Sequence, residues 1–359
     1  CEVRKMSIFL NEKYASLEAY VPGEQPQDKT YIKLNTNESP YPPSDGVIKA
    51  VCASEGGKLR LYPDPDCKKL SETFACAYGI ESKNVVFGNG SDEILSFLFA
   101  AFLSKNGVSF PDISYGFYKV FAELYGVSYK EIPLRRDFSV SADDYANIRS
   151  GVVIANPNAP TGLFMPLKDI EKIAASNPDN IVVIDEAYID FGGESAIALT
   201  KKYKNLIVTG TFSKSRSMAG ARLGFAVGDA DVIADLQKIR FSTNPYNINR
   251  ITLLAGEKAI EDSDYYKARC KDIIKDREYL TDELLKREFN VLPSMANFVF
   301  AQNNNICGKD IYSRLKEHGV LVRWFDKDRI RDFVRITIGT HDECKQLLSA
   351  IDKILKEVF

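Results

Sequence analysis

The sequence predicts an α/β protein in two parts: a large domain on a mainly parallel seven-stranded sheet flanked by helices, and a smaller α+β domain. Three observations predict this class. Before Pro245, short apolar runs alternate with amphipathic helical patterns, which is typical of strands buried on both faces of a parallel sheet. After Pro245 this alternation of short apolar runs and helical patterns stops, and a long charged helical pattern runs from about Asp264 to Phe289. The length of 359 residues is enough for roughly two domains.

The elements follow one another in three segments. Residues 1–44 are irregular and rich in Pro, Asn and Tyr, so we assign them to an N-terminal arm that joins the small domain. Residues 45–248 form the predicted large domain and residues 249–359 the predicted small domain. Large-domain strands are predicted at 84–87, 108–110, 128–132, 152–155, 181–184, 206–209 and 223–227, and helices at 92–103, 117–125 and 167–175. Small-domain strands are predicted at 298–301, 320–323 and 334–338, before a final helix that Thr340 and Glu343 would cap.

Composition and charge exclude several classes of function. The net charge of -2 leaves no basic excess for nucleic acid or an anionic membrane. Seven cysteines without a C-x-x-C pair argue against a disulfide framework and structural zinc, and two histidines argue against a histidine-based metal site. The N-terminus lacks the apolar core of a signal peptide, and the longest apolar stretch is too short to span a bilayer. We therefore expect a cytoplasmic protein that acts on small molecules without a metal.

Two predicted strands of the large sheet end in residues that carry chemistry. One leads into Asp185 and Tyr188, and the next leads into Thr211, Ser213 and Lys214. In an open α/β sheet, ligands bind at the carboxyl ends of the strands. Taken alone, an acid at a strand end more often caps a turn, and a lysine in such a loop is more often merely exposed.

Three loops offer polar groups to an anion. Gly90, Ser91 and Asp92 lie between a strand and a helix, where the first N–H groups of the helix favour an anion. Arg222 lies in a glycine-containing run, where its guanidinium can bind a phosphate through two hydrogen bonds. Asn158 lies in a rigid Pro-rich turn directly after another strand. In each case the ordinary alternative is a structural turn.

The order of these motifs is more specific than any single motif. It resembles the fold type I pyridoxal 5'-phosphate (PLP) enzymes of the aspartate aminotransferase superfamily over nearly the whole chain, and Lys214 follows Asp185 by the expected 29 residues. Within that superfamily, the chain is similar to the histidinol-phosphate aminotransferases, a class II aminotransferase family. This similarity rests on the segments at 20–23, 34–40, 61–64, 185–191 and 334–339.

The resemblance implies how PLP is held in the large domain. Lys214 would bind it covalently and act as general base and acid, Asp185 would keep its pyridine nitrogen protonated, and Tyr188 would contact its phenolic oxygen. Tyr115 would stack on the ring, although the neighbouring Tyr118 could be confused with it.

The resemblance also implies a phosphate site and a homodimer. The phosphate ligands would be Gly90, Ser91, Asp92, Thr211, Ser213 and Arg222. Tyr62 would reach the phosphate bound by the partner subunit, so the active sites would lie at a subunit interface.

Arg335 lies where the superfamily binds a substrate carboxylate. For histidinol phosphate, Arg335, Arg323 and Tyr20 would bind the phosphate instead, and the same arginines would bind 2-oxoglutarate in the return half-reaction. The products would be imidazole acetol phosphate and glutamate, in histidine biosynthesis. The alternative is that Arg323 is a rim residue and Tyr20 a packing aromatic.

One position departs from the family pattern. The family often has Asn immediately before Pro-Thr-Gly, where it hydrogen-bonds the phenolic oxygen of PLP, whereas this chain has Ala159. Either Asn158 takes over this contact, or Tyr188 makes it alone.

Three other functions remain open. An aromatic amino acid aminotransferase would share fold and site, and Tyr20 with Arg323 favours a phosphorylated substrate over it. A threonine-phosphate decarboxylase usually has a His-Gly-Gly-Asn-like N-terminal segment, which the sequence does not contain. A PLP-binding transcription regulator would need a DNA-binding segment, and the sequence shows neither that nor a basic excess.

Overall fold

The computed structural model describes residues 9–14 and 17–358. Residues 1–8, on which the expected absence of a signal peptide rests, lie outside this range. The strands are β1 (Ile32–Lys33), β2 (Val85–Asn89), β3 (Val108–Pro111), β4 (Tyr129–Ile132), β5 (Gly151–Ala155), β6 (Val182–Asp185), β7 (Leu206–Thr211), β8 (Leu223–Val227), β9 (Phe289–Val291), β10 (Phe298–Asn303), β11 (Val320–Leu321), β12 (Arg323–Trp324) and β13 (Phe333–Thr337).

Helices separate most of these strands. They are α1 (Asp45–Ala50), α2 (Lys68–Tyr78), α3 (Ser91–Leu98), α4 (Phe117–Tyr125), α5 (Leu167–Ser176), α6 (Ala230–Thr243), α7 (Arg250–Glu261), α8 (Ser263–Leu285), α9 (Gly308–Glu317) and α10 (His341–Val358). A π-helical turn at Phe99–Leu103 continues α3. Short 3₁₀ helices lie at Glu12–Tyr14, Ala53–Arg60, Ser82–Asn84, Ala142–Tyr145, Ile189–Phe191, Ala196–Lys201 and Ala219–Ala221.

Seven strands form the large sheet in the order β2-β8-β7-β6-β5-β3-β4. The five strands from β7 to β4 run parallel, while β8 is antiparallel to both of its neighbours. The predicted α/β class with a mainly parallel seven-stranded sheet is therefore confirmed. In this arrangement the carboxyl ends of β5, β6 and β7 meet at one edge of the sheet.

The large sheet is buried on both faces because its central strands are apolar throughout. Successive side chains of a strand point to opposite faces. One face packs against α2, α5 and α7 through Val152, Ile154, Val182, Ile184, Leu206 and Val208. The other face packs against α3, α4 and α6 through Val153, Val183 and Ile207.

The small domain is an antiparallel sheet in the order β12-β13-β10-β9, packed against α8, α9 and α10. The helix α10 begins with the predicted capping box: Thr340 N–H donates to Glu343 Oε2 at 2.7 Å, and Glu343 N–H donates to Thr340 Oγ1 at 3.3 Å. The predicted helix from about Asp264 to Phe289 is α8, which ends at Leu285. Phe289 instead begins β9.

The N-terminal arm pairs with the C-terminal part of the chain. β1 runs parallel to β11, with Ile32 opposite Val320. The prediction of one strand at 320–323 was wrong, because β11 pairs with the arm while β12 pairs with β13. The chain therefore changes sheets within this run.

Packing also bears on where the two domains divide. Leu253 and Ala259 of α7, and Tyr266 of α8, belong to the core beneath the large sheet. Ile273 and Leu280, further along α8, belong to the core of the small domain. The helices that follow residue 248 therefore contribute to both cores, and the division after residue 248 stays a prediction.

Within the part of the chain that the structure describes, no helix is long and apolar enough to cross a membrane. The same residues contain no group of three or more His, Cys, Asp or Glu placed to hold a metal ion.

Candidate active site

Two adjoining cavities lie at the carboxyl ends of β5, β6 and β7. The inner cavity has a volume of about 330 Å³. The predicted site residues that line it are Ser91, Asp92, Tyr115, Asp185, Tyr188, Thr211, Ser213, Lys214 and Arg222. The outer cavity has a volume of about 350 Å³ and is lined by the remaining predicted substrate residues, Tyr20, Arg323 and Arg335. Lys214, Tyr188 and Tyr115 line both cavities, so they lie where the two meet.

Asp185 lies at the end of β6, at the floor of the inner cavity. Its carboxylate is 4% exposed and accepts hydrogen bonds from Tyr118 Oη at 2.8 Å and Thr209 Oγ1 at 3.1 Å. Burial raises its pKa to about 6, although both hydroxyl groups oppose this shift by stabilising the carboxylate. Since both donors are neutral, the carboxylate is suited to a cationic group in the cavity.

Lys214 lies past the end of β7, between the two cavities. Its Nζ donates to the backbone oxygen of Thr36 in the arm at 3.2 Å. Burial lowers its pKa to about 8, and the positive charge of Arg335 acts in the same direction. The side chain is therefore an amine that loses its proton more readily than an exposed lysine does.

One end of the inner cavity is suited to an anion. Ser91 and Asp92, in the first turn of α3, line this end of the cavity. The first N–H groups of a helix have no partner within it and are therefore available to an anion. Asp92 bridges two other site residues: it accepts from Tyr115 Oη at 2.7 Å and pairs with Arg222 Nη2 at 3.0 Å. Thr211 Oγ1 donates to Ser213 Oγ at 2.9 Å on the facing loop.

Two glycines allow this end of the cavity to form. Gly90 has φ of 80°, a conformation that favours glycine, directly before α3 begins. Gly224 of β8 lies against the same turn, and a Cβ there would collide with Ser91 N and Gly90 C. The backbone of the turn therefore needs a residue without a side chain beside it.

The outer cavity contains the predicted arginine pair. Arg323 on β12 lies opposite Arg335 on β13. Arg335 Nη2 donates to Asn35 O at 3.0 Å, while its buried Nε has no hydrogen-bond partner among the described residues. Burial lowers the pKa of Arg335. A buried guanidinium with an unused N–H group is suited to an anionic ligand.

Tyr20 forms part of the outer-cavity wall. Its ring stacks on Phe117 with centroids 4.2 Å apart and lies 6.5 Å from the ring of Tyr115. Arg323 donates to the backbone oxygens of Val21 at 3.2 Å and Pro22 at 3.3 Å, and so fixes the arm beside Tyr20.

Three predicted site residues line neither cavity: Gly90, which lies in the turn before α3, Asn158 and Tyr62. Asn158 is 2% exposed, and its amide is used by Ser114 Oγ (2.8 Å), Ile113 O (3.0 Å) and Thr161 Oγ1 (3.0 Å). The prediction that Asn158 binds the cofactor is therefore not supported, because Ala159 faces the cavity instead.

Tyr62 also lies outside both cavities. It is 76% exposed and stacks on Tyr246 with ring centroids 4.3 Å apart. The contact with a partner subunit that the family resemblance implies for Tyr62 stays a prediction.

The sequence analysis missed several residues that contact the site, among them Tyr118 and Asn37. Tyr118 was considered only as a rival of Tyr115, yet it donates to Asp185. Asn37 donates from Nδ2 to Tyr188 Oη at 2.9 Å, although 151 positions separate the two residues. The only sequence signal for Asn37 was its place in the segment 34–40, which marks the family.

The inner cavity fits PLP, the cofactor expected from the sequence. Asp185 offers a buried carboxylate for the ring nitrogen, and Lys214 offers an amine where the two cavities meet. Arg222, Ser213 and the first turn of α3 surround the end that suits a phosphate. Each functional group of the cofactor therefore has a chemically matched residue.

Comparison with known proteins identifies related chains. The sequence profile of the family Aminotransferase class I and II matches residues 29–351. The chain is 50% identical over 353 residues to a histidinol-phosphate aminotransferase of Brachyspira hyodysenteriae, covering 98% of this chain and 100% of that protein. It is 49% identical over 351 residues to a histidinol-phosphate aminotransferase of Clostridium beijerinckii, covering 98% of each.

A solved structure shares the fold over almost the full length. The histidinol-phosphate aminotransferase from Sinorhizobium meliloti in complex with pyridoxal 5'-phosphate has a TM-score of 0.90 and covers 99% of both chains. Its sequence identity of 22% makes this a likeness of fold.

Proposed function

The chain belongs to the class I and II aminotransferase family, and we propose that it transfers an amino group from histidinol phosphate to 2-oxoglutarate. The products are imidazole acetol phosphate and glutamate, in histidine biosynthesis. The observation that carries this proposal is that Lys214 and Tyr188 line both a cofactor-sized cavity and a cationic cavity. Relatives about half identical in sequence, which are named histidinol-phosphate aminotransferases, support the choice of substrate.

The cofactor of this aminotransferase is PLP, which when bound supplies an electron sink for the reaction. Its phosphate would be held by backbone N–H groups and hydroxyls and by one guanidinium, and Tyr115 would lie against its ring. The phosphate ligands would be Gly90, Ser91, Asp92, Thr211, Ser213 and Arg222.

Asp185 would hold a proton at the pyridine nitrogen. Its own pKa of about 6 reflects a carboxylate buried without a cation. A cationic nitrogen beside it lowers that pKa and is itself stabilised, since opposite charges at short range favour both ionised forms. Tyr188 would donate to the phenolic oxygen on the other side of the ring.

Lys214 would move the proton at the carbon that carries the amino group. A general base works best when its pKa lies near the working pH, and the pKa of Lys214 is lowered to about 8. Burial therefore increases the fraction of Lys214 that is the neutral amine required for proton abstraction.

The outer cavity would bind the substrates by their anionic groups. Arg323 and Arg335 face each other there, and Tyr20 closes one side. The phosphate of histidinol phosphate and the distal carboxylate of 2-oxoglutarate would use the same arginines in turn. This shared site accounts for two substrates with different carbon skeletons.

Two features of the chain support a cytoplasmic homodimer. Tyr62 would extend from one subunit to the phosphate bound by its partner, and its 76% exposure in the single chain leaves it available for that contact. The six cysteines in the described residues are free, as expected in a reducing compartment.

The proposal is tested by measuring both products. PLP-loaded protein is incubated with histidinol phosphate and 2-oxoglutarate, and we expect equal amounts of glutamate and imidazole acetol phosphate. The Lys214→Ala variant should form neither, while Lys105→Ala, at an exposed position, should match the wild type. Transamination of phenylalanine or tyrosine at a higher kcat/KM, or release of CO₂ from threonine phosphate, would contradict the proposed substrate.

A further inference from the structure

Asn37 contacts the hydroxyl group of Tyr188 from the N-terminal arm. It is 1% exposed, and its Nδ2 lies 2.9 Å from Tyr188 Oη. Thr337 Oγ1 accepts from the backbone N–H of Asn37 at 3.0 Å and donates to Asn37 Oδ1 at 3.0 Å. The backbone oxygen of Asn37 accepts from Asn297 Nδ2, also at 3.0 Å. Asn37 is therefore held at its backbone and at its side chain.

This network fixes the direction of each hydrogen bond. Thr337 Oγ1 accepts from the backbone of Asn37, so its own proton is available for Asn37 Oδ1. With Oδ1 facing Thr337, the amide must point Nδ2, which can only donate, at Tyr188. Tyr188 Oη therefore accepts from Asn37, and its own proton is free to be donated into the inner cavity.

The backbone at this position suits asparagine. Asn37 has φ of 57°, in the left-handed region. Asparagine adopts this region more readily than other residues with a Cβ, because its short side chain can hydrogen-bond nearby. The conformation carries the amide from the arm towards β6 while the arm continues past the cavity.

The neighbouring arm residues contact two other site residues. Asn35 O accepts from Arg335 Nη2 at 3.0 Å, and Thr36 O accepts from Lys214 Nζ at 3.2 Å. Three consecutive residues thus reach the anion-binding arginine, the reactive lysine and Tyr188. The hydrogen bond of Asn37 is therefore one of three that consecutive residues of the arm make with the site.

Ala159 cannot make the hydrogen bond that the family's Asn makes from this position, whereas Asn37 hydrogen-bonds Tyr188 from the arm. Ala159 lines the cavity and belongs to an apolar cluster with Ala296 and Phe298, against which Tyr188 packs. Its methyl group cannot hydrogen-bond, so it neither holds Tyr188 nor reaches a ligand oxygen. Among the described residues, Asn37 forms the hydrogen bond to Tyr188 Oη.

We propose that Asn37 is a positioning residue that aims the proton of Tyr188 Oη at the phenolic oxygen of PLP, and that Thr337 ties this contact to β13. Arg335 lies two residues before Thr337 on β13. The same strand therefore carries an arginine of the anion site and the threonine that holds Asn37. This inference rests on the proposed function, since it requires bound PLP. It assigns no chemical step to Asn37.

The test is a pH titration of the absorbance of PLP bound in the holoenzyme. A hydroxyl donated to the phenolic oxygen stabilises its negative charge and so disfavours protonation of the neighbouring nitrogen of Lys214. Tyr188→Phe should therefore raise the pH midpoint. Asn37→Gly, which keeps the left-handed backbone accessible, should raise it by about 0.3–1 pH unit, less than Tyr188→Phe, because one hydrogen bond is weakened rather than lost.

A double variant and a matched pair at Thr337 sharpen this test. The double variant Asn37→Gly with Tyr188→Phe should titrate like Tyr188→Phe alone, since contacting residues are not additive. Thr337→Val should shift the midpoint in the same direction as Asn37→Gly, whereas Thr337→Ser, which keeps the hydroxyl, should match the wild type.

The outcomes separate this inference from the proposed function. If Tyr188→Phe shifts the midpoint but Asn37→Gly and Thr337→Val leave it at the wild-type value, Asn37 has only a structural role and the inference is overturned. Shifts from Asn37→Gly and Tyr188→Phe that simply add overturn it as well. A wild-type protein that shows no bound PLP overturns the proposed function, and this inference with it.

Discussion

Tyr118 donates its hydroxyl group to Asp185 Oδ2 at 2.8 Å in the interior of the large domain. Tyr118 is completely buried and Asp185 is 4% exposed. The hydrogen bond lowers the pKa of Asp185 against the larger effect of burial, which leaves that pKa at about 6. Tyr118 therefore helps to keep the carboxylate ionised where a cationic ring nitrogen would meet it.

The variant Tyr118→Phe should weaken PLP binding, most of all at mildly acidic pH. Without the donor, the pKa of Asp185 rises further, so the carboxylate is protonated closer to neutral pH. A hydrogen bond to a charged group contributes about 1.5–3 kcal/mol, so we expect roughly a tenfold or larger rise in the dissociation constant of PLP near pH 7. Binding titrations from pH 5.5 to 8.5 measure this. Tyr125→Phe, which loses a hydroxyl bonded to Ser96, is the control, and an unchanged pH profile for Tyr118→Phe would refute the assignment.

Gly224→Ala should also weaken PLP binding, for a steric reason. The added Cβ collides with backbone atoms of Gly90 and Ser91, which cannot move aside as a flexible side chain can. Overpacking of this kind typically destabilises by about 1–3 kcal/mol, and here it displaces the turn that would hold the phosphate. Gly228→Ala, whose Cβ would make only ordinary contacts, is the control. Equal PLP affinity in the two variants would contradict this account of the turn.

Lys214→Met should stabilise the apoprotein at neutral pH. The pKa of Lys214 is lowered from 10.5 to about 8 in the folded protein, so its contribution to stability is present above pH 10.5 and is lost as the pH falls through 8. At pH 7 the variant avoids burying a charged amine, which we expect to raise the free energy of unfolding by about 1–3 kcal/mol.

Denaturant unfolding of the apoprotein at pH 7, 9 and 10.5 measures this effect. The advantage of Lys214→Met should shrink as the pH rises. Lys105→Met removes an exposed lysine and should show no such trend. A variant that is less stable than the wild type at pH 7 would show that Lys214 is not a strained, buried amine.

Lys327→Gln should weaken recognition of the substrate phosphate. Lys327 lines the outer cavity with Arg323 and Arg335, and the described residues that line it include no acid. Losing one exposed charge from such a cluster should raise KM for histidinol phosphate about 3- to 10-fold with little change in kcat, and added salt should reduce the difference. Lys353→Gln on α10 is the control. An equal rise in KM for histidinol, which lacks the phosphate, would exclude charge recognition as the cause.

The large sheet, and the site residues at the ends of its strands, were predictable because local sequence patterns mark them. Continuous apolar runs mark β5, β6 and β7, and the position of Asp185 and Lys214 follows from where those runs end. Topology then brings these ends together, since parallel neighbours end at the same edge of a sheet.

The contacts that cross between distant segments were not predictable. Asn37 meets Tyr188 only because the irregular arm lies across the cavity, and no periodicity marks such a path. The sequence could not decide between Tyr115 and Tyr118 either, because α4 begins between them and turns one into the cavity and the other into the core. Asn158 was one of two candidates, with Tyr188 alone, for the contact that the family makes from the position of Ala159. In the structure its amide is used by Ile113 O, Ser114 and Thr161.

The central claim is tested most directly by an absorbance titration of the PLP-loaded protein with each substrate in turn. Histidinol phosphate alone should convert the spectrum of bound PLP to that of pyridoxamine 5'-phosphate in proportion to the amount added, and 2-oxoglutarate should then restore it. A spectrum that ignores histidinol phosphate but responds to phenylalanine or tyrosine would contradict the proposed substrate. A protein that shows no absorbance of bound PLP would contradict the assignment of Lys214 and the account built on it.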